Sequence, residues 1–107
     1  MPFLQTQAQG QLSRCKTNLK NIATGLEMYA SDNLGRYPKR LETLVQQRYL
    51  ECLPTCPAAR SVTYLDYRST ATPDSFSFSC TGENHWLAWR ADGKHRPNYP
   101  DYDAERG

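Results

Sequence analysis

Leu12, Cys15, Leu19, Ile22, Leu26 and Tyr29 follow one another at intervals of three and four residues. That spacing sets all six on one stripe of an α-helix. Polar side chains (Arg14, Lys16, Asn18, Lys20, Asn21, Glu27) fill the opposite face. The pattern predicts a helix over 10–34 after a polar, flexible lead-in at 1–9. Asp32-Asn33-Leu34-Gly35 supplies its end, with Gly35 free to take a left-handed cap. Pro38 then opens a connector over 35–60 that holds a short helix, its apolar side being Leu41, Leu44, Val45 and Tyr49. Pro54 and Pro57 stop any helix, and Leu53-Pro54-Thr55-Cys56-Pro57 is expected to be an extended connector.

From Ser61 the period changes to two, and 61–90 reads as an antiparallel sheet. Val62, Tyr64 and Asp66 alternate with Thr63, Leu65 and Tyr67 in a first strand. Arg68 to Asp74 is a polar turn. Ser75 to Cys80 places Phe76, Phe78 and Cys80 on one face, and His85 to Arg90 forms a third strand. Residues 91–107, rich in Pro, Tyr and Asp, form a tail expected to dock on the sheet through its tyrosines. The fold class is α+β: one domain over 1–107, with a long N-terminal helix packed on a three-stranded antiparallel sheet.

A chain of 107 residues is small enough to benefit from staples. Its cysteines are Cys15, Cys52, Cys56 and Cys80. An even count favours two disulfides and an oxidising compartment. Three pairings are possible. Cys56–Cys80 is favoured, tying the connector to a strand, which leaves Cys15–Cys52 to pin the long helix to the same connector. A zinc site usually announces itself with closely spaced Cys-x-x-Cys knuckles. One Cys-x-x-x-Cys and two isolated cysteines do not match, so no metal and no cofactor is expected.

The net charge of +2 does not suggest a nucleic-acid partner. The charge is uneven, with seven basic against three acidic residues in 1–50 and six against eight in 51–107. Such a split suits head-to-neighbour complementarity in an assembly. No apolar run is long enough to span a membrane. His85 and His95 have no metal-ligand spacing and read as surface or turn residues. Asp66 and Asp74 form only a nominal carboxylate pair, and no constellation supports catalysis, so the chain is not read as an enzyme. Asp92-Gly93 and Asp101-Tyr102-Asp103 do not form a calcium loop. Trp86, Trp89, Tyr99 and Tyr102, with Tyr64 and Tyr67, are candidates for an aromatic binding face, which Arg68, Arg90, Lys94 and Arg96 would flank.

The run Tyr29-x-x-Asp32-Asn33-x-Gly35-x-Tyr37-Pro38, followed by Leu41-x-x-Leu44, resembles the helix exit and connector of type IV pilin-like proteins, especially type II secretion pseudopilins. Pro54-Thr55-Cys56-Pro57-Ala58 and Ser79-Cys80-x-Gly82 look like a disulfide-bearing subgroup of that family. The resemblance implies the soluble head of an extracytoplasmic bacterial filament subunit. Its partners would be other pilin or pseudopilin subunits and the secretion machinery. Its membrane contact would run only through an upstream apolar helix that this sequence does not contain. The prepilin cleavage site and the glycine- and aspartate-rich calcium loop of major pseudopilins are likewise not seen. The alternative reading is a secreted, disulfide-stabilised binding module with an exposed aromatic face.

Overall fold

The computed structural model describes residues 2–72, 74–89 and 97–105, the side chains of Pro2, Phe3 and Trp89 apart. Expectations for Trp89's side chain, Arg90, Asp92, Gly93, Lys94, His95 and Arg96 lie outside the described residues. The element order is α1 (Pro2–Asp32), α2 (Glu42–Gln46), β1 (Arg68–Ala71), β2 (Asp74–Ser79), α3 (Trp86–Trp89) and β3 (Asp101–Asp103). The architecture is α+β, a long N-terminal helix with a three-stranded antiparallel sheet in the order β1-β2-β3.

α1 holds 31 residues, about 46 Å of helix. The expected stripe is its buried face: Leu12, Cys15, Leu19, Ile22 and Leu26 are all 7 % exposed or less. The lead-in is a correction, because residues from Pro2 onward are helical rather than a loose segment. Gln, Thr and Ala carry no helix breaker, and Ala8 extends the stripe by one turn onto Ala88. Gln9 Nε2 also donates to the Ala88 carbonyl at 2.7 Å.

The helix exit closes as the glycine implies. Gly35 has φ of 82°, and its N–H donates to the Ala30 carbonyl at 2.8 Å. Asn33 Nδ2 donates to the Tyr29 carbonyl. Tyr49 donates to Asp32 Oδ2 at 2.7 Å and Tyr37 to Glu27 Oε1 at 2.8 Å. Pro38 is buried and its carbonyl accepts from Tyr67 at 2.6 Å. Asp32, Asn33, Gly35 and Tyr37 thus tie α1 to the chain that follows it, and Pro38 ties the connector to Tyr67. Leu41 and Leu44 are buried under α1, as their spacing predicts.

β2 is a strand where expected, and its pairs to β1 run from Arg68↔Ser77 to Ala71↔Asp74. Phe76 and Phe78 turn inward onto Cys15, Leu19, Ile22 and Leu26, making the main core. Its neighbouring strands differ from expectation. Residues 61–67 form no strand: Thr63 and Tyr64 are both buried, which breaks the alternation, and the Leu65 N–H turns back onto the Thr63 carbonyl. The polar stretch Arg68–Ala71, expected to be a turn, takes the first edge instead. His85 to Arg90 was expected as the third strand, yet its described part is one turn of helix. His85 and Ala88 are buried while Trp86 and Leu87 are exposed, a period of three rather than two. The tail supplies the third strand, with Phe78↔Tyr102 at its centre. The Tyr102 ring lies 6.1 Å from Phe76 and 5.9 Å from Phe78, so the docking through a tyrosine is as expected.

Candidate functional site

Four separate segments converge on one buried spot of the core. α1 contributes Cys15, on its buried stripe between Leu12 and Leu19. The connector contributes Cys56. There a tight loop runs from Cys56 to Ser61, with Cys56 N–H donating to the Ser61 carbonyl at 2.9 Å and Arg60 N–H to the Cys56 carbonyl at 2.7 Å. The end of β2 contributes Cys80, fixed by its own N–H on the Pro100 carbonyl at 2.9 Å. The turn before α3 contributes His85, whose carbonyl accepts from the Ala88 N–H at 3.0 Å. The three sulfurs are 0 % exposed and His85 is 2 % exposed.

The three sulfurs and one ring nitrogen lie within 4.8 Å of one another. Cys56 Sγ is 3.6 Å from Cys80 Sγ. His85 Nε2 is 3.4 Å from Cys56 Sγ and 3.7 Å from Cys80 Sγ. Each sulfur also has polar neighbours. The Tyr64 hydroxyl is 3.1 Å from Cys15 Sγ, and the Thr63 hydroxyl 3.1 Å from Cys80 Sγ. Asn84 Nδ2 donates to Cys80 Sγ at 3.4 Å while also donating to the Thr81 carbonyl at 2.7 Å. The N–H groups of Ala58 and Ala59 favour the ionised form of Cys56. Asn18 Nδ2 donates to the Tyr64 hydroxyl at 3.1 Å and orients it.

Hydrogen bonding between Cys15 and Cys80 pushes Cys15 well above the usual thiol range and draws Cys80 well below it. The two shifts are opposite because they describe one interaction seen from its two partners. Burial acts against charge on both, and His85, Thr63 and Asn84 further support the anion on Cys80. Burial raises Cys56 as well. Burial also lifts the Tyr64 hydroxyl well above its ordinary value, and Cys15 adds to that.

The four cysteines are free thiols, so the two expected disulfides are corrected. A disulfide needs its sulfurs about 2.05 Å apart, and the favoured pair Cys56–Cys80 stands at 3.6 Å. Cys15–Cys52 fails for a different reason: Cys15 faces the core while Cys52 is exposed on the connector, outside the cluster. His85 stands in a turn, as read, but the surface reading is corrected: it is a buried member of the cluster. Its signal was Cys80-x-x-x-x-His85 within a turn, together with a cysteine on the apolar stripe of α1.

The aromatic residues do not gather on one face. Trp86 is 45 % exposed. Tyr102 stacks on the core phenylalanines, and Tyr99 packs on Ala8, Leu12 and Ala88 beneath the Lys16 ammonium, 5.5 Å from its ring centre. Tyr64 is buried beside Cys15, and Tyr67 is half-buried over Pro38. Asp66 is no catalytic partner of Asp74, since it accepts from the Ser79 N–H at 2.8 Å and from the Ser79 hydroxyl. No helix among the described residues is long and apolar enough to cross a membrane. Compared with protein-family models, curated proteins and solved structures, the chain matches none.

Proposed function

We propose that this chain is a structural subunit rather than an enzyme: the globular head of a pilin-like filament protein. It would stand outside the inner membrane, anchored by a helix upstream of the residues described above. Other pilin or pseudopilin subunits and the secretion machinery would be its partners. The observation that carries the reading is the helix exit. Asp32, Asn33, Gly35, Tyr37 and Pro38 close a 31-residue helix and turn the chain back beneath it. A long helix with one buried stripe, followed by a capped connector and a small antiparallel sheet, supports a head built around a spine. In a filament the spine would bundle centrally and the sheet side would face outward. The location rests on the family resemblance, since the cysteines no longer argue for an oxidising compartment.

The coding frame upstream of α1, which begins at Pro2, tests this. The reading expects an apolar run of about 20 residues joining α1 without a break, behind a short basic leader. The tagged full-length product should then fractionate with the inner membrane, its head accessible to protease from outside. A cleavable signal peptide, or recovery in the cytosol, contradicts it.

A further inference from the structure

We propose that Cys15, Cys56, Cys80 and His85 form a closed structural zinc site, with Nε2 of His85 as the nitrogen ligand. The argument begins with edge lengths. Tetrahedral zinc with Zn–S of about 2.3 Å and Zn–N of about 2.0 Å sets two sulfurs about 3.8 Å apart and sulfur and nitrogen about 3.5 Å apart. The cluster shows 3.6 Å between Cys56 and Cys80 sulfurs, and 3.4 and 3.7 Å from those sulfurs to Nε2. These three edges match one face of a tetrahedron around a metal, and Cys15 Sγ lies within 4.8 Å of all three atoms, placed to supply the fourth corner. A disulfide between Cys56 and Cys80 would account for neither Cys15 nor His85 pointing to the same spot.

The chemistry of the donors agrees. Three thiolates and one imidazole are soft and borderline ligands, the set that selects zinc over magnesium or calcium. Binding releases the protons of the thiols that are still protonated to solvent, leaving a centre of net charge −1. Hydroxyl and amide groups stand ready to share that charge: Tyr64 at Cys15, Thr63 and Asn84 at Cys80, and the Ala58 and Ala59 N–H groups at Cys56. Such outer partners are what metal thiolates require. With Nε2 bound to the metal, Nδ1 of His85 would carry the hydrogen, and among the described residues that atom is buried without a partner. The ring is therefore held in place from its Nε2 side.

The burial assigns the role. Catalytic zinc keeps an open position, whereas structural zinc has four protein ligands and no access. All four ligands here are buried. The centre would join α1, the 56–61 loop, the end of β2 and the turn before α3 in one crosslink. The chain would thus obtain from a metal the stapling that its cysteine count suggested would come from disulfides. The site does not depend on the filament reading.

The test uses the full chain, expressed with zinc and purified under reducing conditions without chelator. Metal analysis and native mass spectrometry should give one zinc per chain for the wild type and for Cys52→Ser. Cobalt(II) exchanged into the site should give thiolate charge-transfer absorption and the intense visible bands of a tetrahedral centre. Cys80→Ser and His85→Ala should lose stoichiometric zinc. Thr63→Val, which removes only an outer partner, should weaken cobalt binding by about 10- to 100-fold. Should the ligand variants not fold, the wild-type metal content and cobalt spectrum decide alone. A folded wild type with four titratable thiols, no bound metal and a melting temperature unmoved by chelator overturns the site. So does a mass two hydrogens lower carrying a Cys56–Cys80 bond, or octahedral cobalt.

Discussion

Gly35 shows how one residue can be read correctly from sequence. Its φ of 82° lies where a Cβ is penalised, although no atom stands within 4 Å of the place that a Cβ would occupy. The penalty is therefore conformational rather than steric crowding. Gly35→Val should cost about 1–2 kcal/mol, read as a melting temperature lower by several degrees. An unchanged value would refute the cap. His85 teaches the opposite. Its chemistry was visible in the sequence, but its burial was not, because a turn residue's environment is set by what folds over it. The cysteines were misassigned for a related reason. Zinc ligands contributed by a helix, a loop, a strand end and a turn have no fixed sequence spacing, so the knuckle rule could not find them.

Elements were legible where one face alone decided them. The stripe of α1 and the Phe76/Phe78 face of β2 are both amphipathic signals with a single solution. The edges of the sheet were not, because hydrogen bonds to β2 can be made by any extended segment with a suitable partner. The polar Arg68–Ala71 and the acidic Asp101–Asp103 took those places. The apolar 85–89 segment folded back on α1 instead, because a helical turn sets His85 and Ala88 on one side, His85 toward the sulfurs and Ala88 onto α1. β3 therefore stabilises the fold chiefly through one side chain. Tyr102→Ala, which strips a half-buried ring from Phe76 and Phe78, should cost about 2 kcal/mol. Equilibrium unfolding in urea measures it, and a cost below about 0.5 kcal/mol would mean that the tail does not seal the core. Phe76→Ala, at the fully buried centre of the same cluster, should cost about 3–5 kcal/mol, enough to unfold much of a domain this small.

At the scale of the whole molecule, tyrosines and the metal centre set the limits of stability. Burial, with Glu27 adding to it, pushes Tyr37 up to about 12, and burial pushes Tyr67 up to about 12. Tyrosine in the unfolded chain ionises near 10. The folded state thus holds these protons longer. Their contribution is intact below pH 10 and is lost as pH rises from 10 through about 12. Unfolding followed by circular dichroism should therefore steepen across that window, and Tyr37→Phe with Tyr67→Phe should flatten it. A wild-type profile flat from pH 9 to 12 would contradict the burial of these hydroxyls. On the acid side of that window the domain should depend on its metal. Chelator at neutral pH should lower the melting temperature of the wild type and leave that of a metal-free preparation unchanged.

The centre itself is best addressed by X-ray absorption at the zinc edge on the purified full chain. The expected shell is three sulfurs at about 2.3 Å and one nitrogen at about 2.0 Å, with the nitrogen lost in His85→Ala. A shell of light atoms alone, or zinc that washes away while the sulfurs pair with one another, would show that these four buried side chains are not a metal site.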